Sequence, residues 1–91
     1  MSADTKPRVT ITYCTKCHFL PRAAWVAQEL LHTFGDLVAE VALVPGSGGI
    51  FEVGVDGEAV FSTKSHGRFP ETRELRELLR DRIEGAPPPR H

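Results

Sequence analysis

Sulfur is scarce in this chain: it has two cysteines, Cys14 and Cys17, and one methionine, Met1. A single pair of thiols excludes the disulfide-dense scaffold of small secreted domains and leaves at most one cysteine site. Long apolar runs are also missing, and none approaches the roughly 18 residues that a membrane-spanning helix needs. The segment from Met1 to Pro7 has no apolar core of signal-peptide length, so the expected location is cytoplasmic. Neither sign of charge is in excess, with 11 basic and 12 acidic side chains. Without a net field, nucleic acid and anionic membrane are not expected partners. A Ser-His-Asp set, a phosphate-binding loop signature and paired carboxylates are also absent, which disfavours hydrolase and nucleotide chemistry.

What remains is ordinary globular composition, 41% hydrophobic and 25% charged, in 91 residues. That length supports one domain with one small core. We read residues 1–7 as a flexible N-terminus, 8–85 as the domain and 86–91 as a disordered tail. Val9, Ile11 and Tyr13 alternate with Arg8, Thr10 and Thr12, the period-2 pattern of a strand. A helix is expected from Pro21, with Leu20, Ala23, Ala24, Ala27, Leu30, Leu31 and Phe34 as its core stripe and Gly35-Asp36 as its stop. Leu37 to Val44 reads as a second strand, parallel to the first. Pro45 to Gly49 reads as a loop. Ile50–Val55 and Glu58–Ser62 form a hairpin through Asp56-Gly57, with Val53 opposite Val60. In that register Phe51 and Val55 share the face of Val53, while Ile50, Ala59 and Phe61 point the other way. Lys64 to Arg68 is expected as a loop. A last helix opens at Phe69-Pro70-Glu71, buries Leu75, Leu78, Leu79 and Ile83, pairs Arg73 with Glu77 and Arg80 with Glu84, and stops at Gly85.

The resulting order is β-α-β-β-β-α, an α/β plan with a four-stranded mixed sheet. It sets Cys14 and Cys17 at the junction of the first strand and the first helix. In a reducing compartment such a pair is seldom a staple, so redox cycling or metal binding comes forward. Thiol–disulfide exchange needs a thiolate, a second thiol to resolve the mixed disulfide, and solvent access. The helix N-terminus, Lys16 and His18 would each favour a thiolate. Gly48 and Gly49 would let a substrate backbone approach the sulfur, or would supply slack in a sheet connection. Cys14 to His18 also fits the c-type haem attachment spacing, but Met1 offers no usual second axial ligand and covalent attachment requires export. Zinc held by Cys14, Cys17 and two of His18, His32 and His66 would lack the usual second close-spaced ligand cluster. No metal site is therefore expected. Trp25 falls off the apolar stripe, either as an interface residue or as a shield for the cysteine loop.

Tyr13-Cys14-Thr15-Lys16-Cys17, Pro21, Gly48-Gly49-Ile50-Phe51-Glu52-Val53 and the stretch from Lys64 to Pro70 together resemble the Rdx family, the selenoprotein W-, T- and H-like proteins. The resemblance implies a thioredoxin-like fold with both helices on one face of the sheet. It also implies a thiol or selenol oxidoreductase in which Cys17 stands where many members carry selenocysteine. That position argues for Cys17 as the attacking sulfur and Cys14 as its resolving partner. Pro45 comes too early to match the cis-proline of thioredoxins proper, and Gly46 to Gly49 occupy that connection. The expected function is a small thiol–disulfide oxidoreductase or thiol antioxidant in cell redox homeostasis. Its expected partners are client protein thiols or disulfides, with no bound cofactor, glutathione as reductant, and a monomer or weak homodimer as the working form. The alternative is a redox-regulated interaction module that uses the dithiol as a switch.

Overall fold

The computed structural model describes residues 6–83. Most of the segment 1–7, the stop at Gly85, the pair Arg80 with Glu84 and the tail 86–91 lie outside the described residues. Four strands, β1 (Arg8–Cys14), β2 (Glu40–Gly46), β3 (Phe51–Val55) and β4 (Glu58–Ser62), form one sheet in the order β2-β1-β3-β4. Helices α1 (Leu20–Phe34), α2 (Thr63–His66) and α3 (Thr72–Arg80) complete the domain. β1 lies parallel to β2 through the α1 crossover and antiparallel to β3, which is antiparallel to β4. The sheet is mixed, as expected.

Alternation along β1 sets the layers. Val9 and Ile11 are buried with their cross-strand partners Val55 and Val53, beneath Ala23, Val26, Ala27, Leu30 and Phe34 of α1 and Leu75 and Leu79 of α3. Both long helices therefore cover one side of the sheet. The other side carries Thr10, Thr12, Glu52 and Ser62, with Ala42 and Val44 from β2.

A bulge corrects the expected hairpin register. Val55 faces Glu58 and Gly54 faces Ala59, but Val53 faces Phe61. Val60 is the extra residue, and the slip turns Phe61 onto the helix side, where it is buried. Ala59, opposite Gly54, points away from the helices as expected, but the apolar face expected there loses Phe61. Gly54 leaves room for the bulge, since a Cβ there would stand 3.2 Å from both Glu58 O and Thr10 Oγ1.

The helices are rotated and trimmed relative to expectation. α1 buries Val26, which the apolar stripe omitted, and exposes Leu20, Ala24 and Leu31. Gly35 to Leu37 form a 3-10 turn, so β2 begins at Glu40 instead of Leu37, after Val38 has entered the core. β2 then runs through Pro45 to Gly46, which proline tolerates on an edge strand because an outward position needs no amide donor. The expected loop at Lys64 contains the one-turn α2. Ser62 caps it by accepting from Lys64 N–H at 3.2 Å, and left-handed Gly67 ends it. α3 starts at Thr72 behind an extended Glu71, so Pro70 precedes the helix instead of opening it. It buries Leu75 and Leu79, and Ile83 follows in the core, whereas Leu78 is 38% exposed. Among the described residues the ion pairs are Arg8–Glu40, Arg68–Glu74 and Arg82–Glu58, and Arg73 does not join Glu77.

Candidate functional site

Cys14 is the last residue of the interior strand β1 and is 2% exposed. Its N–H donates to Ile50 O at 2.8 Å, and Gly46 is its neighbour in register on β2. Thr15 to Cys17 make a single 3-10 turn that His18 closes in the left-handed region, at φ 60° and ψ 36°. That turn brings Cys17 back to Cys14 in disulfide geometry, with the Cα atoms 5.4 Å apart. The two cysteines are unequally buried. Cys17 is half-buried on the turn, while Cys14 is enclosed by the sheet.

The sequence-predicted residues lie around this turn to different degrees. Lys16 and His18 are exposed on and just after it. Gly48 and Gly49 sit in the short β2–β3 connection, both with positive φ and open space around the positions a Cβ would take. Both ends of that connection meet the cysteine turn: Ile50 O accepts from Cys14 N–H, and Gly46 O accepts from Thr15 Oγ1 at a long 3.5 Å. α1 starts at Leu20, so His18 and Phe19 separate Cys17 from the helix N-terminus. Trp25 is 53% exposed on the second turn of α1. His32 lies in the last turn of α1, and His66 lies on α2, where its ring stacks on Phe61 at 4.1 Å. Among the described residues no three His, Cys, Asp or Glu side chains converge as metal donors.

Sequence reasoning missed an aromatic support under the turn. Phe19, Phe51 and Phe69 meet edge to face, with ring centroids 4.9 Å apart for Phe19 and Phe69, 5.2 Å for Phe51 and Phe69, and 6.4 Å for Phe19 and Phe51. Each such pair contributes about 0.5–1.5 kcal/mol beyond the area it buries. The cluster ties the exit of the cysteine turn to the start of β3 and to the segment before α3. Arg22 completes it, with its guanidinium carbon 4.3 Å above the Phe69 ring. Phe19 directly after the cysteine motif was the available signal, but three residues this distant in sequence carry no local mark of meeting.

Next to Phe69 in the chain, Arg68 grips Glu74 through two hydrogen bonds of 2.8 and 2.7 Å. The hydrogen bond from Arg68 holds the Glu74 carboxyl below its ordinary range. A groove between β4 and α3 is lined by Val60, Glu74, Glu77, Leu78, Asp81 and Arg82, none of which belongs to the cysteine turn.

A dithiol at the carboxyl end of an interior strand, with both long helices on one side of a four-stranded mixed sheet, defines a thioredoxin-like α/β protein. The profile of the Rdx family matches residues 8–81, and the chain belongs to that family. A crystal structure of a Bordetella parapertussis protein superimposes with a TM-score of 0.84 at 49% identity, covering 86% of this chain and 99% of that one. The selenoprotein W-related protein from Vibrio cholerae gives the same TM-score at 42% identity, covering 87% of this chain and 99% of its own. Among curated proteins, Migration and invasion enhancer 1 of Bos taurus is 30% identical over 88 residues, spanning 92% of this chain and 75% of that protein. Membership of this family together with the close Cys14–Cys17 pair points to a redox function. No helix among the described residues is long and apolar enough to cross a membrane.

Proposed function

We propose that the protein is a small thiol–disulfide oxidoreductase in which Cys17 attacks and Cys14 resolves. The unequal burial of the two cysteines carries this reading, because an attacking thiolate has to meet its partner and a resolving thiol only its neighbour. The Cys17 thiolate attacks one sulfur of a disulfide substrate, forming a mixed disulfide and releasing the first thiolate. Cys14, deprotonated, then attacks the Cys17 sulfur, closing the Cys14–Cys17 disulfide and releasing the second. Two electrons pass from the protein to the substrate, and the two thiol protons go to the leaving thiolates. Two glutathione molecules return the protein to its dithiol form and leave as glutathione disulfide. Gly48 and Gly49 leave backbone room beside the turn, and Lys16 places a cation on it. Client thiols or disulfides in a reducing compartment such as the cytoplasm are the substrates that suit this chemistry, with a monomer or weak homodimer as the working form.

The test is a redox titration in glutathione buffers with intact mass read after alkylation. Reversible formation of the intramolecular disulfide within cellular potentials is expected. In Cys14→Ser, a glutathione adduct should accumulate on Cys17, whereas Cys17→Ser should trap little on Cys14. Thiols that stay unreactive across the titration overturn the proposal. Use of the same dithiol only as a switch for a partner docking near Trp25 would appear as changed affinity without turnover of any disulfide.

A further inference from the structure

We propose that Arg22 selects substrates of this dithiol that carry a carboxylate close to the reacting sulfur. The inference rests on the thiol–disulfide reading above and adds its substrate class. Lys16 on the cysteine turn, and His18 and Arg22 after it, are cationic or ionisable groups. None of them has an acidic partner within ion-pair distance among the described residues. Arg68, next to Phe69 in the chain, is different, because it is already occupied by Glu74. Arg22 is thus left without a carboxylate partner among the described residues, on the helix that the cysteine turn leads into.

Arg22 stands out from its neighbours by being held. Its guanidinium lies 4.3 Å over Phe69, and Phe69 packs at 4.9 Å against Phe19, two residues beyond Cys17. A guanidinium attracted to a ring face keeps N–H donors around its rim, and that array matches a planar carboxylate. Fixing it on the ring also lowers the conformational entropy lost when an anion binds. Lys16 is exposed and carries no such support, so it adds field without direction.

The experiment measures oxidation of the reduced protein by three aliphatic disulfides of similar size: dithiodipropionate (anionic), hydroxyethyl disulfide (neutral) and cystamine (cationic). The ratio of the anionic to the cationic rate is compared in wild type, Arg22→Gln and Arg8→Gln. Arg8 begins β1, at the end of the strand opposite Cys14, and controls for net charge. The expected result is a wild-type ratio above one that falls roughly threefold in Arg22→Gln, as for loss of an exposed ion pair. It should hold in Arg8→Gln and shrink toward one in molar salt, where screening acts within about 3 Å. An unchanged ratio in Arg22→Gln, or an equal fall in Arg8→Gln, overturns the inference while leaving the chemistry intact. If hydroxyethyl disulfide itself oxidises no variant, the thiol–disulfide reading fails and this inference falls with it. Glutathione disulfide and a peptide disulfide flanked by glutamates then separate a small-molecule source from a protein one. Dependence on Arg22 is expected for at least one, and dependence for neither rejects the assignment.

Discussion

Replacing Gly46 by alanine is expected to open the sheet where β2 meets Cys14. A Cβ on Gly46 would stand 2.9 Å from Ile50 Cγ2 and 3.0 Å from Thr12 Cγ2. Carbon atoms prefer about 3.5–4.0 Å, so each contact is short by about half an ångström or more. Neither neighbour yields easily, because both methyl groups sit on β-branched side chains whose χ1 is restricted. The strands must separate instead, at the cost of overpacking, about 1–3 kcal/mol. For a domain of this size that lowers the melting temperature by about 4–24 °C. Gly48→Ala is the comparison, since its φ of +74° strains an L-residue but nothing lies near its Cβ. It should cost only about 1 kcal/mol. Urea unfolding of both variants, oxidised and at neutral pH, gives the two values directly. Adding Thr12→Ser removes one offending methyl and should recover at least about 0.5 kcal/mol in a double-mutant cycle. If Gly46→Ala is no worse than Gly48→Ala, or if Thr12→Ser is simply additive, the steric argument is wrong.

Leu75→Ala should destabilise by about 2–4 kcal/mol because the side chain is fully buried, while the half-exposed Leu78 should tolerate alanine at well under 1 kcal/mol; chemical denaturation of the pair reads the orientation of α3. Glu74→Gln tests the Arg68 clamp: a carboxyl held below its ordinary range stabilises the fold at neutral pH and loses that contribution as pH falls through the folded-state value. The gap in urea midpoint between wild type and Glu74→Gln should therefore be widest near pH 7 and close in acid, and a gap that grows on acidification would contradict the clamp. Asp56 has a φ of 52°, and its Oδ1 accepts from Arg8 N–H at 2.9 Å. Asp56→Ala should cost about 1 kcal/mol and Asp56→Asn less, measured by thermal melts.

The order of elements and the position of the cysteine pair were legible because each rests on local chemistry. The β1 alternation, Pro21 at the start of α1 and Asp56-Gly57 at the hairpin all act within a few residues. The errors share a different cause. The bulge at Val60 depends on how β4 meets β3, and only Gly54 inside a strand hinted at it. The rotation of α1 that buries Val26 and exposes Leu31 is set by where α3 and the sheet lie. At the site, Cys14 and Cys17 were evident from spacing, but the unequal burial of the two residues and the seating of Arg22 on Phe69 arise only after distant segments meet.

The bulge also determines where the chain can change length. Val60 is the residue without a partner, so deleting it would leave Gly54 opposite Ala59 and Val53 opposite Phe61. Removing Val53 or Gly54 from the facing strand would instead turn every side chain beyond that point to the opposite side of the sheet. Insertions and deletions in this hairpin are therefore unequal by position: β4 holds one dispensable residue, and β3 holds none.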